Sequence, residues 1–129
     1  MKRKIKTLII SIAGSVVSAC TQNDNIMNVD ASEFEQNIKA DSIQILDVRT
    51  HEEFVKGHIA GAMNIDVLKN EFRHIAINKL DKKHEVWIYC RSGKRSLTAA
   101  TMLAKDGYKV VNLRGGITEW ENGGKPVVR

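Results

Sequence analysis

Val86-Trp87-Ile88-Tyr89-Cys90-Arg91-Ser92-Gly93-Lys94-Arg95-Ser96 is the stretch that decides how this chain is read. An apolar run stops at a single cysteine. Polar, basic and flexible residues follow, and then Leu97, Ala100, Thr101, Leu103 and Ala104 recur at helical spacing. A strand, a tight loop and a helix N-terminus make a pocket of backbone N–H groups, with the positive end of the helix dipole aimed into it. Arg91, Lys94 and Arg95 add positive charge, and Ser92 and Gly93 supply flexible N–H groups. A thiol placed there ionises more easily than a free one, into the range of roughly 3.5–7.5 known for such sites. A cysteine ending a strand is more often a small buried hydrophobe. Three cations and a glycine are a poor lining for an inert core thiol, so Cys90 reads as a nucleophile in an anion-binding cradle.

The surrounding pattern alternates strands and helices. Asp30 caps a first helix, with Glu33 in the capping-box position and Phe34 and Ile38 on its inner face. Strands are expected at Ile43 to Val48, Ala62 to Ile65, Glu85 to Tyr89 and Val110 to Leu113. Thr50 and Glu53 form a second capping box. Further helices are expected over Val67 to Ile77, Ser96 to Asp106 (closed by Gly107) and Ile117 to Asn122. This is an α/β domain with a central, largely parallel sheet flanked by helices. Ligands of such sheets bind at the carboxyl ends of the strands, where Cys90 stands.

The first nineteen residues read differently. Lys2, Arg3, Lys4 and Lys6 precede a short apolar run from Leu8 to Val17. That is a secretory signal, too short to span a bilayer comfortably. It ends in Val17-Ser18-Ala19-Cys20, which resembles a bacterial lipobox. The resemblance implies that Cys20 becomes the lipidated first residue of the mature chain, held on a membrane of the bacterial cell envelope, at the periplasmic side or in the outer membrane. The division expected is therefore residues 1–19 as signal, 20–28 as a polar tether and 29–129 as the folded domain.

Charge follows from that division. The whole chain carries +5, but four of its twenty Lys and Arg lie in the signal and none of its fifteen carboxylates do. The mature chain is left with sixteen cations against fifteen carboxylates, a net +1. The basic balance reports targeting and not nucleic-acid binding. The two cysteines each have a job already, so no disulfide framework is implied. His51, His58, His74 and His84 lack metal-ligand spacing, and no metal or cofactor is expected.

Several stretches resemble one family in order along the chain. Asp47-Val48-Arg49, Glu52-Glu53-Phe54 and Gly57-His58-Ile59-Ala60-Gly61-Ala62-Met63-Asn64-Ile65 resemble the front half of a rhodanese-like domain. Cys90 to Ser96 resembles its active-site loop. Leu113-Arg114-Gly115-Gly116-Ile117, Trp120 and Gly124-Lys125-Pro126-Val127 resemble its C-terminal end. The resemblance implies a single-domain sulfurtransferase. Cys90 would attack a small anionic sulfur donor such as thiosulfate, carry the sulfur as a persulfide and pass it to cyanide, a thiol or a protein acceptor. The N–H groups from Arg91 to Arg95 would hold the anionic sulfur, and the side chains of Arg91, Lys94 and Arg95 would attract the donor. A monomer is expected. Asp47, Arg49, Glu53 and His58 read as braces for the loops, and Trp87 and Trp120 as packing. Asp66 stands where the family often has a proline, which bears on the shape of one loop.

Three other chemistries were open to a cysteine in such a loop. Phosphatases and arsenate reductases of this fold use C-x5-R, whereas Arg95 makes C-x4-R here, a smaller cradle suited to sulfur. A sulfur carrier serving a partner protein would use the same cysteine. A disulfide oxidoreductase would need a resolving cysteine, and none is near.

Overall fold

A computed structural model describes residues 25–129. The expected signal segment and Cys20 lie outside the described residues.

The chain builds one five-stranded sheet in which every neighbouring pair is parallel. Strands β1 (Ile26–Val29), β2 (Gln44–Asp47), β3 (Met63–Asn64), β4 (Val86–Tyr89) and β5 (Val110–Leu113) lie in the order β1-β5-β4-β2-β3. Helices α1 (Ala31–Asn37), α2 (His51–Lys56), α3 (Phe72–Lys79), α4 (Lys94–Lys105) and α5 (Gly116–Asn122) connect and close it. The sheet α/β architecture expected from the alternation is the one observed.

Strand β4 runs through the middle and is buried on both faces, which is why its sequence shows no polar alternation. Its side chains still sort by the period of two. Val86, Ile88 and Cys90 belong to the core packed with Phe72 and Ala76 of α3 and with Ala99, Ala100 and Leu103 of α4. Trp87 and Tyr89 belong to the opposite core, with Phe34 of α1 and Ile117 and Trp120 of α5. There Phe34 meets Trp87, Tyr89 and Trp120 edge-on, with ring centroids 5.3, 6.4 and 6.2 Å apart. Both tryptophans are packing residues, and Trp120 also donates from Nε1 to the Pro126 carbonyl at 2.7 Å, tying down the C-terminal segment.

Three elements differ from expectation, each for a local reason. Ile26 to Val29, read partly as tether, form an edge strand. The main-chain pairing with β5 recruits them despite their polar neighbours, and the Asn112 amide donates to Asn28 Oδ1 at 2.9 Å across the pair. The helix expected from Val67 begins only at Phe72. Asp66 Oδ1 accepts from the Leu68 N–H at 2.9 Å, so the side chain competes with helix and makes a turn. Helix α4 begins at Lys94, two residues before the expected Ser96, because Gly93 at φ +100° turns the chain into it directly. Asp30 caps α1 by accepting from the Glu33 N–H, but the described residues show no return bond from Glu33 to complete a box there, whereas Thr50 and Glu53 complete a reciprocal one.

Candidate active site

Cys90 lies one residue beyond the carboxyl end of β4, on the α4 side of the sheet, and is 1% exposed. Its loop folds over the sulfur. The Gly93 N–H donates to Sγ at 3.1 Å. Burial pushes the thiol up, but the polar groups around it, those of Ser96 foremost and then the Gly93 and Ser92 N–H groups, outweigh it, so Cys90 is held below the ordinary thiol value. The donors thus come from the loop and from the first turn of α4, as the strand–loop–helix pattern requires.

The inward N–H groups depend on where the carbonyls go. The Cys90 carbonyl accepts from the Ile117 N–H at 2.9 Å, and the Arg91 carbonyl from the Thr118 N–H at 3.1 Å. Both donors are in the first turn of α5. That turn otherwise has unpaired N–H groups, and here they hold the loop carbonyls away from the sulfur. Gly116, at φ +66°, brings the two backbones together; a Cβ there would lie 2.2 Å from the Arg91 carbonyl oxygen.

The basic side chains divide into two kinds. Arg91 and Lys94 are exposed, and neither has an ion-pair partner among the described residues. Arg91 lines a cleft of about 300 Å³ between α2 and α5, with Lys56, Thr118 and Glu121 also on its walls. Arg95 is engaged: its guanidinium forms a two-point pair with Glu53, at 2.9 and 3.0 Å. The same Glu53 Oε1 accepts from the Thr50 N–H and hydroxyl. Arg95 therefore ties the start of α4 to the cap of α2, while its charge still acts on the Cys90 sulfur. Ser92 is exposed, and its N–H helps to lower the Cys90 thiol.

The hydrogen bond from Arg95 draws the Glu53 carboxyl down to about 2, against a smaller opposing effect of burial. A folded-state value below the unfolded one stabilises the fold above the unfolded value and is lost as pH falls through the folded one. Thermal midpoints should therefore drop as pH falls from about 4.5 to about 2. Glu53→Gln should flatten that part of the profile while lowering the midpoint at neutral pH. An unchanged acid limb in the variant would show that the pair does not contribute.

The front half of the domain braces this site. The Arg49 guanidinium pairs with the buried Asp47 carboxylate at 2.6 Å and donates to the Gly57 carbonyl at 2.7 Å. His58 stacks on Phe54 with ring centroids 3.7 Å apart, and its Nδ1 lies 2.9 Å from the Phe54 carbonyl oxygen. His58 and Val128 also exchange both main-chain hydrogen bonds. None of these groups reaches the sulfur by a hydrogen bond. Ser96 is the residue that sequence reasoning passed over. It was quoted with the loop but given no part, and its first-turn position in α4 was the available signal.

The family model of the rhodanese-like domain matches residues 30–123. A sulfurtransferase of Allochromatium vinosum is 33% identical over 105 residues, covering 80% of this chain and 95% of that protein. Thiosulfate sulfurtransferase 18 of Arabidopsis thaliana is 32% identical over 123 residues, covering 86% and 90%. The Bacillus subtilis (strain 168) protein YrkF, provisionally named a sulfur carrier, is 38% identical over 98 residues; the match covers 74% of this chain and 51% of YrkF, so the chain spans about half of that relative. The crystal structure of a rhodanese-related protein from Thermoplasma volcanium superposes with a TM-score of 0.71 at 32% identity, covering 79% of this chain and 97% of that one. The chain belongs to the rhodanese-like domain family.

Proposed function

We propose that the protein is a sulfurtransferase that moves sulfane sulfur from an anionic donor such as thiosulfate to a thiophilic acceptor through a persulfide on Cys90. The observation that carries this reading is the Gly93 N–H at 3.1 Å from Cys90 Sγ, in a loop where cysteine and arginine stand five positions apart. The Cys90 thiolate attacks the outer sulfur of thiosulfate. A new S–S bond forms, the bond to the sulfonate sulfur breaks, and sulfite leaves with that electron pair. The terminal sulfur stays anionic and needs preorganised donors, which the loop and the α4 first turn supply without rearrangement. Arg91 and Lys94, exposed and unpaired among the described residues, draw the donor in. The sulfurtransferase names of relatives covered over nearly their whole length support the same reading. The name of YrkF favours a second one, delivery of the sulfur to a partner protein, with cyanide only an assay acceptor.

Intact mass of the purified chain tests the persulfide. One added sulfur atom per chain is expected after thiosulfate, removed again by cyanide. A mass that never changes would refute the covalent carrier.

The protein is further proposed to act as a monomer, anchored through lipid on Cys20 to a membrane of the bacterial envelope. Metabolic acyl label should enter the wild type and not Cys20→Ala. An unlabelled wild type would remove the anchor from this reading.

A further inference from the structure

Two buried side-chain atoms lack a hydrogen-bond partner among the described residues, Asn112 Oδ1 and Ser96 Oγ. Asn112 still uses its amide nitrogen, which bonds Asn28. Ser96 uses nothing. Its side chain is fully buried in the first turn of α4. An unpaired hydroxyl in a dry interior opposes folding, and alanine would fill the same space without that penalty. A serine kept there fits a partner that is not always present.

That partner is in reach. Ser96 acts on the Cys90 sulfur through both its N–H and its hydroxyl, although the hydroxyl does not meet hydrogen-bond geometry toward the sulfur in this state. A neutral thiol is a weak acceptor, and a thiolate is a strong one. We propose that the Ser96 hydroxyl is a donor reserved for negative charge on Cys90 Sγ, with no other structural duty. It stands idle over the thiol and donates when the thiolate forms.

The same donor serves the second half of the proposed reaction, and this part rests on the sulfurtransferase reading. When cyanide attacks the outer sulfur, a C–S bond forms and the S–S bond breaks. The electron pair of the S–S bond stays on Sγ, so persulfide anion and cyanide become thiolate and thiocyanate. Negative charge moves from the outer sulfur to Sγ, where the Ser96 hydroxyl is placed to receive it. A leaving thiolate that is better stabilised leaves faster. Ser96 thus favours giving sulfur away as well as taking it up.

Ser96→Ala tests this with three readouts on the full domain. The pH profile of Cys90 alkylation by iodoacetamide should shift upward by about one unit, which is roughly tenfold less thiolate at pH values below both midpoints. Sulfur release to cyanide from the preloaded persulfide should slow about threefold or more, since part of that change is transmitted to the leaving group. Below the midpoint of the alkylation profile, where the thiol is neutral, the thermal midpoint should stay at or above the wild-type value, because no hydrogen bond is lost there. Ser96→Thr restores the hydroxyl and should restore the alkylation profile. An unmoved profile in Ser96→Ala overturns the proposal, whether or not stability falls. So does a Thr variant that titrates like the Ala variant. Alkylation needs no sulfur transfer, so a wild type that never loads sulfur would refute the proposed function and leave the Ser96 result standing on its own.

Discussion

Cys90→Ser should leave a folded protein that neither gains sulfur from thiosulfate nor makes thiocyanate from cyanide. The loss expected is on the order of 10⁴-fold or more, as when other enzymes lose their nucleophile. The hydroxyl that replaces the thiol is nearly the same size and can accept from the Gly93 N–H in place of Sγ. Stability should therefore change by no more than about 1 kcal/mol. A serine hydroxyl stays protonated at neutral pH, and it cannot store a sulfane sulfur. Thiocyanate production and intact mass are read on the same preparation. Appreciable turnover by the serine variant would mean that sulfur travels by a route that does not pass through Cys90.

The second large effect belongs to Gly93. At φ +100° an L-residue is strained by about 1–2 kcal/mol. A Cβ at this position would also lie 2.0 Å from the Arg114 carbonyl oxygen and 2.9 Å from its carbon, and backbone cannot swing aside as a side chain can. Overpacking of that kind adds about 1–3 kcal/mol. Gly93→Ala should thus destabilise the domain by about 2–5 kcal/mol, a large share of the ~5–15 kcal/mol available to a typical domain. Gly124 is the control. It is also left-handed, at φ +76°, but a Cβ there would meet nothing within 4 Å. Gly124→Ala should lose only the strain, about 1–2 kcal/mol. Urea midpoints of the two variants separate strain from collision. Equal losses would show that the Arg114 contact does not hold the loop. Cys90 alkylation in Gly93→Ala should also slow, because the displaced N–H no longer reaches Sγ.

What could be read from the chain was local. The apolar run ending at Cys90, the cations after it and the helical spacing from Leu97 all lie within one strand, loop and helix, and the structure assembles them in that order. The Thr50 and Glu53 box was legible because its two members are three residues apart. What was not legible depends on contacts between distant segments. Glu53 and Arg95 are 42 residues apart, so nothing near Arg95 shows that its guanidinium is already paired. The strand status of Ile26 to Val29 depends on β5, more than eighty residues away. The start of α3 was misplaced for the opposite reason, because a single side chain, Asp66, overrides an apolar pattern that otherwise suits helix. Ser96 needed the fold itself, since an orphaned hydroxyl is visible only once every other partner has been placed.

The joint between the active-site loop and the turn into α5 also bears on what this scaffold can become. Gly93 abuts Arg114, Gly116 abuts Arg91, and the α5 first turn holds the Cys90 and Arg91 carbonyls, so two segments of backbone are fitted to each other at four points. A one-residue insertion into the loop cannot be absorbed by the loop alone. It unseats the glycine contact and releases carbonyls that would then face the incoming anion. A lineage or a designer seeking room for a larger tetrahedral group would have to recut Arg114 to Ile117 in the same step. An insertion made in the loop alone should therefore cost sulfur transfer unless the facing turn is changed with it.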